Sequence, residues 1–201
     1  MVHVGEAAYF RKVYGDAFSH DVVLMEGVNS PITRRLTRSY RWIGASKSLG
    51  LVLQPRAPER GTVHAKIVHS DLSPEEFREA WTKVPRRIRW FIALLSPVIG
   101  LRLRFGSREA IARRLTLDDQ PTQEEALSWS PEAAALNGAI LDARDIRLLE
   151  HLEGILDQPA TQVRSVAVVY GAEHVRALLH ALTGRRGYFA EKTEWLTVFG
   201  V

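Results

Sequence analysis

Apolar positions along the chain follow two periods. Residues 6–18 carry Ala7, Phe10, Tyr14 and Phe18 three or four apart, the spacing of one helix face. Val22-Val23-Leu24-Met25 is instead an unbroken apolar run of strand length, which suits a strand covered on both faces. It ends at Glu26-Gly27, and Asn29-Ser30-Pro31 breaks the chain. Residues 33–49 are expected to form a basic helix, Leu49 to Leu53 to begin a strand, and 54–62 to be a loop rich in Pro, Gly and charge. Val63 to Val68 alternates weakly and predicts a further strand. Ser73-Pro74-Glu75-Glu76 sets Ser at the N-cap, Pro at the first helical position and Glu three residues on, a capping box. Ser130-Pro131-Glu132 is a weaker start of the same kind. Residues 139–156 predict the clearest long helix, with Ile140, Leu141, Ile146, Leu148, Leu149, Leu152, Ile155 and Leu156 as its apolar positions. Val163 to Tyr170 predicts a strand, Gly171-Ala172-Glu173 a tight turn, His174 to Leu182 a helix ended by Gly184, and 194–201 a last strand.

Strands alternating with helices predict an α/β domain over 1–201, with a mostly parallel or mixed central sheet and helices packed around it. A helical insertion is expected at about 74–130. Its core is Trp90-Phe91-Ile92-Ala93-Leu94-Leu95-Ser96-Pro97-Val98-Ile99-Gly100-Leu101, the most hydrophobic stretch of the chain. This run falls short of the roughly 20 residues needed to span a bilayer, and Pro97 interrupts it. Arg86, Arg87, Arg89, Arg102 and Arg104 flank it. The reading preferred from sequence is a buried helical hairpin or a cap over the functional site. The alternatives are a membrane-surface segment at 88–104, its arginines meeting anionic headgroups, or a homodimer contact.

Composition narrows the classes. A chain of 201 residues with 46% hydrophobic and 25% charged residues can bury one core and is not disordered in character. There is no Cys, which removes disulfides, thiolate metal ligands and a thiol nucleophile. Net charge is +4 and the isoelectric point about 9.6. Acidic residues are interspersed along most of the chain and no helix-turn-helix, zinc-finger or RNP-like pattern occurs, so nucleic acid is not an expected partner.

Three segments carry chemistry. Val166 to Val175 delivers a buried strand, Gly171, and then His174 at the mouth of a helix, where α/β sheets collect ligands. A His so placed can ligate a metal or act as a base, or simply cap the helix. Asp21 to Val28 places Glu26 just past a buried strand, with Gly27 leaving room for close approach. Leu141-Asp142-Ala143-Arg144-Asp145-Ile146 sets charges near the start of an apolar helix. The helix dipole favours the two aspartates there but not Arg144, which therefore invites a carboxylate or an oxyanion as its partner.

With these residues the chain resembles the TraB/GumN family, related to the Tiki proteases and more distantly to the erythromycin esterases. Gly171-Ala172-Glu173-His174 is similar to the second of that family's two Gly-x-x-His motifs. Leu24-Met25-Glu26-Gly27-Val28 is similar to its Glu strand and Ala143-Arg144-Asp145 to its Arg element. Met1 to Phe10 resembles the first Gly-x-x-His with its helix, His3 standing where the motif's His falls but without the Gly. The resemblance implies that the family's first strand, and any signal peptide before it, is missing through truncation or a late start.

What the resemblance implies chemically is a metal-dependent hydrolase of peptide, amide or ester bonds. His3, Glu26 and His174 would hold a divalent manganese, cobalt or zinc ion, Arg144 would steady an oxyanion or orient Glu26, and Glu6 would serve as a further ligand or base. Gly27 and Gly171 would support the loops. The other histidines (His20, His64, His69, His151 and His180) are expected in surface or packing roles, and Glu173 to point elsewhere. The alternative is a non-catalytic regulatory or peptide-binding protein at a membrane. The expected location is cytoplasmic or peripheral to a membrane, with export left open.

Overall fold

The computed structural model describes residues 2–39, 46, 49–56, 58, 63–112, 131–159 and 161–200. The expected α/β fold is observed. Its centre is a three-stranded parallel sheet in the order β4-β2-β5, from β2 (Val22–Met25), β4 (Lys66–His69) and β5 (Val166–Val169). Val22 pairs with both Lys66 and Val166, and Met25 with both His69 and Val169. A separate antiparallel pair joins β1 (Val4–Gly5) to β3 (Val52–Leu53).

All four β2 residues are buried, as a central strand covered on both faces requires. Strand pleating sends alternate side chains to opposite faces. Val23 and Met25 pack on one side with Tyr14 and Ala17 of α1 (Ala7–Ala17). Leu24 packs on the other with Leu148 and Leu152 of α7 (Ala143–Leu156). Between β2 and β4 lie α2 (Pro31–Leu36), a 3-10 turn at Thr37–Ser39, and β3. Ser30 caps α2 through a capping box with Thr33, so Ser30-Pro31 starts a helix as well as breaking the chain. Of the predicted helix over 33–49, α2 covers the start and the 3-10 turn follows it, while residues 40–45, 47 and 48 lie outside the described residues.

After β4 the Ser73 capping box is present in full, with Pro74 at the first position of α3 (Pro74–Lys83). Helix α3 buries Phe77, Ala80 and Trp81, with the Phe77 and Trp81 rings stacked. Next come α4 (Arg86–Arg104) and α5 (Arg108–Ala112). The sequence reading of a buried hairpin is overturned. Residues 86–104 form one helix, with Pro97 inside it and Trp90, Phe91, Leu94, Val98 and Leu101 exposed. Its apolar residues recur at three and four along the whole run, so two separate helices have no face to share. The rest of the expected insertion, 113–130, lies outside the described residues.

A helix at α6 (Pro131–Asn137) runs through a π-helical turn at Gly138–Asp142 into α7. Ile146, one of the apolar positions of this helix, is exposed. Beyond β5 come a 3-10 turn at Ala172–His174, α8 (Val175–Leu179) and a π-helical turn at His180–Arg185. Residues 187–200 carry no strand, against the expected last strand. The tail instead docks through Glu6 N–H on the Val198 carbonyl at 2.9 Å, Arg108 on the Gly200 carbonyl, and Phe199 against the cluster of Val4, Leu49, Leu51 and Ile111.

No helix among the described residues is long and apolar enough to cross a membrane. Leu148, 1% exposed beneath the sheet, anchors α7. Leu148→Ala is expected to cost about 2–5 kcal/mol in urea unfolding. A loss within about 0.5 kcal/mol, typical of surface sites, would show that α7 does not depend on this contact.

Candidate functional site

The sheet register sets the site. Met25, His69 and Val169 lie side by side, so the next residues of all three strands leave at one carboxyl edge. Glu26 N–H donates to the Val169 carbonyl at 3.1 Å and Ser70 N–H to the Met25 carbonyl at 3.2 Å. Pleating then directs Glu26, two residues after Leu24, toward the face covered by α7. On α7, Arg144 lies four residues before Leu148 and eight before Leu152, and so belongs to the face that packs on the sheet.

Arg144 meets two carboxylates there. Its Nη2 donates to Glu26 Oε1 at 2.6 Å and to Asp71 Oδ2 at 2.7 Å, and its Nε donates to Asp71 Oδ1 at 2.9 Å. The fork geometry of a guanidinium suits the two-point contact with Asp71, which a lysine could not reproduce. Backbone donors complete the set. Gly171 N–H donates to Glu26 Oε2 at 2.6 Å, while Gly27 N–H and Leu72 N–H donate to the two oxygens of Asp71 at 2.9 and 2.8 Å. Burial alone would raise the Asp71 carboxyl, whose side chain is 1% exposed. Arg144 and the two N–H groups outweigh burial and hold it below the ordinary aspartate range. Burial likewise disfavours the charged guanidinium of Arg144, but Asp71 and Glu26 more than offset this and raise its pKa.

The second half of the site is a histidine couple. His174, 2% exposed, shares a 2.5 Å hydrogen bond between Nδ1 and Asp145 Oδ1. Its Nε2 has no hydrogen-bond partner among the described residues. The Tyr170 ring stands edge-on to the imidazole, centroids 5.2 Å apart. The Tyr170 hydroxyl donates to the Ser70 carbonyl at 2.7 Å and lies 3.2 Å from Ser70 Oγ. Burial pushes the phenol well above its usual range, so it remains a neutral donor. Neighbouring residues Arg144 and Asp145 thus serve the two halves of one edge.

No family model matches the chain, and no curated protein or solved structure matches it.

Of the residues singled out in the sequence, Glu26, Arg144, Gly27 and Gly171 come together directly, and His174 lies beside them. His3 is engaged elsewhere. Its exposed ring is 2.9 Å from Gln54 Oε1, and Gln54 also donates to the Tyr14 hydroxyl at 3.3 Å. Glu6 pairs with Arg108 at 2.9 Å, and Arg108 also bonds the carbonyls of Leu49 and Gly200, so Glu6 sits in a strut between α1, α5 and the tail. Glu6 is the N-cap of α1 and His3 precedes β1, so neither joins Glu26 and His174 as the expected further ligand or base. Gly27 also acts differently from expectation. A Cβ there would meet nothing within 4 Å, but φ is +153°, a region that favours glycine. This conformation aims Gly27 N–H at Asp71.

The residues present do not fit the implied metal. A divalent ion of this kind takes three or more protein donors. Glu26 and His174 are two of the three expected donors at this edge, but the third, His3, is held at Gln54, and among the described residues no group of three His, Asp or Glu side chains is placed to hold a metal. Asp71 and Tyr170 were missed in the sequence. Ser70-Asp71 follows β4 just as Glu26 follows β2, so the strand-end rule would have reached Asp71 had β4 been predicted to end at His69.

Two measurements probe the cluster. Replacing Arg144 by Met leaves two buried carboxylates unpaired, and a loss of about 3–5 kcal/mol in urea unfolding is expected. Because the folded pKa of Asp71 is depressed, its contribution is complete above the unfolded value, about 3.9, and is lost as pH falls through the folded value. Asp71→Asn should therefore melt lower than wild type at neutral pH, and the gap should narrow in acid. Parallel melting curves down to the acid limb would contradict this.

Proposed function

We propose that the carboxyl edge of the β4-β2-β5 sheet is the active site of a TraB/GumN-like hydrolase that cleaves a peptide, amide or ester bond with water. The observation that carries the proposal is the Asp145–His174 couple. Asp145 fixes one imidazole nitrogen, and Nε2 has no partner among the described residues. That arrangement selects one tautomer and supports an imidazolium once formed. His174 would take a proton from water as the water attacks a carbonyl carbon, and return it to the departing amine or alcohol. The neutral Tyr170 hydroxyl would add a polar wall beside the ring. Arg144 is a positioning residue here. Its hydrogen bonds to Glu26 and Asp71 hold both strand ends, so orienting Glu26 is favoured over direct contact with an oxyanion.

The resemblance also implies manganese, cobalt or zinc, which would supply Lewis acidity and a more acidic water. The donor set does not fit such an ion, since His3 lies with Gln54 and not at this edge.

That mismatch, with Asp71 fully engaged by Arg144 and two backbone N–H groups, favours a second reading. The same edge would bind a peptide or small molecule without cleaving it, in a regulatory protein associated with a membrane. Mixed peptide and ester substrates, with each of the three metals added in turn, distinguish the two. The hydrolase reading expects turnover, with His174→Ala lowering kcat by about 10²–10⁴-fold and Asp145→Asn also lowering it. Turnover absent under every condition, or equal in wild type and His174→Ala, would end the hydrolase reading.

A further inference from the structure

Helix α4 has two unlike sides. One packs inward. Ile88 and Ile92 join the cluster built on Phe77 and Trp81, Ser96 Oγ donates to the Leu36 carbonyl at 2.7 Å, and Gly100 is buried. The other side carries Trp90, Leu94, Val98 and Leu101, 61%, 66%, 60% and 50% exposed, with Phe105 continuing the same line at 79%. Steps of four, four, three and four keep these five side chains on one stripe, which Phe91 widens. No acidic residue occurs between 86 and 104, and arginines stand at both ends of the stripe. Arg87 pairs with Glu132.

A cavity of about 430 Å³ lies where α4 begins and meets α2. Arg35, Arg86, Arg89, Trp81 and Trp90 are among its lining residues, and among the described residues no acidic one lines it. Arg89 Nε is buried and, among the described residues, has no hydrogen-bond partner. A buried N–H of a guanidinium without an acceptor is costly, and an anionic oxygen is the acceptor that best relieves it.

We propose that α4 is a membrane-surface helix: its apolar stripe lies in the interface of an anionic bilayer, and the Arg35–Arg86–Arg89 cavity takes the phosphate of an anionic phospholipid headgroup. An apolar stripe with arginines and an interfacial tryptophan is the composition such a helix needs. The headgroup phosphate brings to Arg89 Nε the acceptor that it lacks. A second copy of the chain is a poorer occupant. A two-fold contact would set the same patch against itself, arginine facing arginine, with no carboxylate on α4 to compensate.

Co-sedimentation of the full chain tests this, using vesicles of phosphatidylcholine alone and of phosphatidylcholine with phosphatidylglycerol. Pelleting with the anionic vesicles only, weakened by salt, is expected. Leu94→Glu with Val98→Glu should abolish it. Both sites are exposed, so the variant should keep the wild-type circular dichroism melt. Arg86→Gln should weaken partitioning about fivefold. Arg89→Lys keeps the charge but loses Nε, and should also weaken it. Equal binding by Arg89→Lys overturns the headgroup site. Equal pelleting with both vesicle types, or none with either, overturns the whole proposal. So does a concentration-dependent dimer in sedimentation velocity that Leu94→Glu dissociates while vesicles are ignored.

Discussion

Arg144 holds together three parts of the chain that are far apart in sequence. Its guanidinium joins Glu26 at the end of β2 to Asp71 just beyond β4, and it does so from α7, the helix that covers one face of the sheet. The charges are buried, so none of the three can be left alone without a large desolvation penalty. Burial of Leu148 and Leu152 on the sheet brings Arg144 to the strand ends, and pairing with two carboxylates then permits it to stay there. The hydrophobic and ionic contacts of α7 therefore depend on each other. Gly27 and Gly171 supply N–H groups that the carboxylates need beyond what one arginine can give.

The same register that builds the cluster places the histidine couple next to it. β5 ends beside β2, and Tyr170, Gly171 and His174 follow within one short turn. Arg144 and Asp145 are adjacent on α7, so a single helical segment serves both Glu26 and His174. A rigid strand edge and a packed helix hold the imidazole more firmly than a loop could, a requirement shared by proton transfer and by specific binding. The divergence from a metal centre arises here as well. Of the three ligands a metal would use, Glu26 and His174 reach this edge while His3 stays with Gln54.

Helix α4 is a contrasting case. Its inner side is tied to α2 and α3, while its outer side carries large apolar residues that the described part of the fold leaves exposed. A stripe of this kind is unfavourable in water and points to an apolar surface beyond the domain. The arginines at its ends and the unsatisfied Arg89 Nε specify the charge of that surface.

Much of the architecture was legible from periodicity and caps. The uniform apolar run of β2 announced a central strand, Phe10 and Tyr14 the buried side of α1, and Ser73-Pro74-Glu75-Glu76 the start of α3, because these patterns are written in neighbouring residues whatever distant elements they later meet. Glu26, Arg144 and His174 also stood out, as polar residues at strand ends or in an otherwise apolar helix. What sequence could not decide was which of them meet. Asp71 became Arg144's principal partner through a register shared by three strands, while His3 and Glu6 went to Gln54 and Arg108. The outward face of α4 was equally hidden, since an apolar helix reads alike whether buried or exposed. Local propensity is written in neighbouring residues, whereas pairing between distant charges and the burial of a face are set only when separate elements pack.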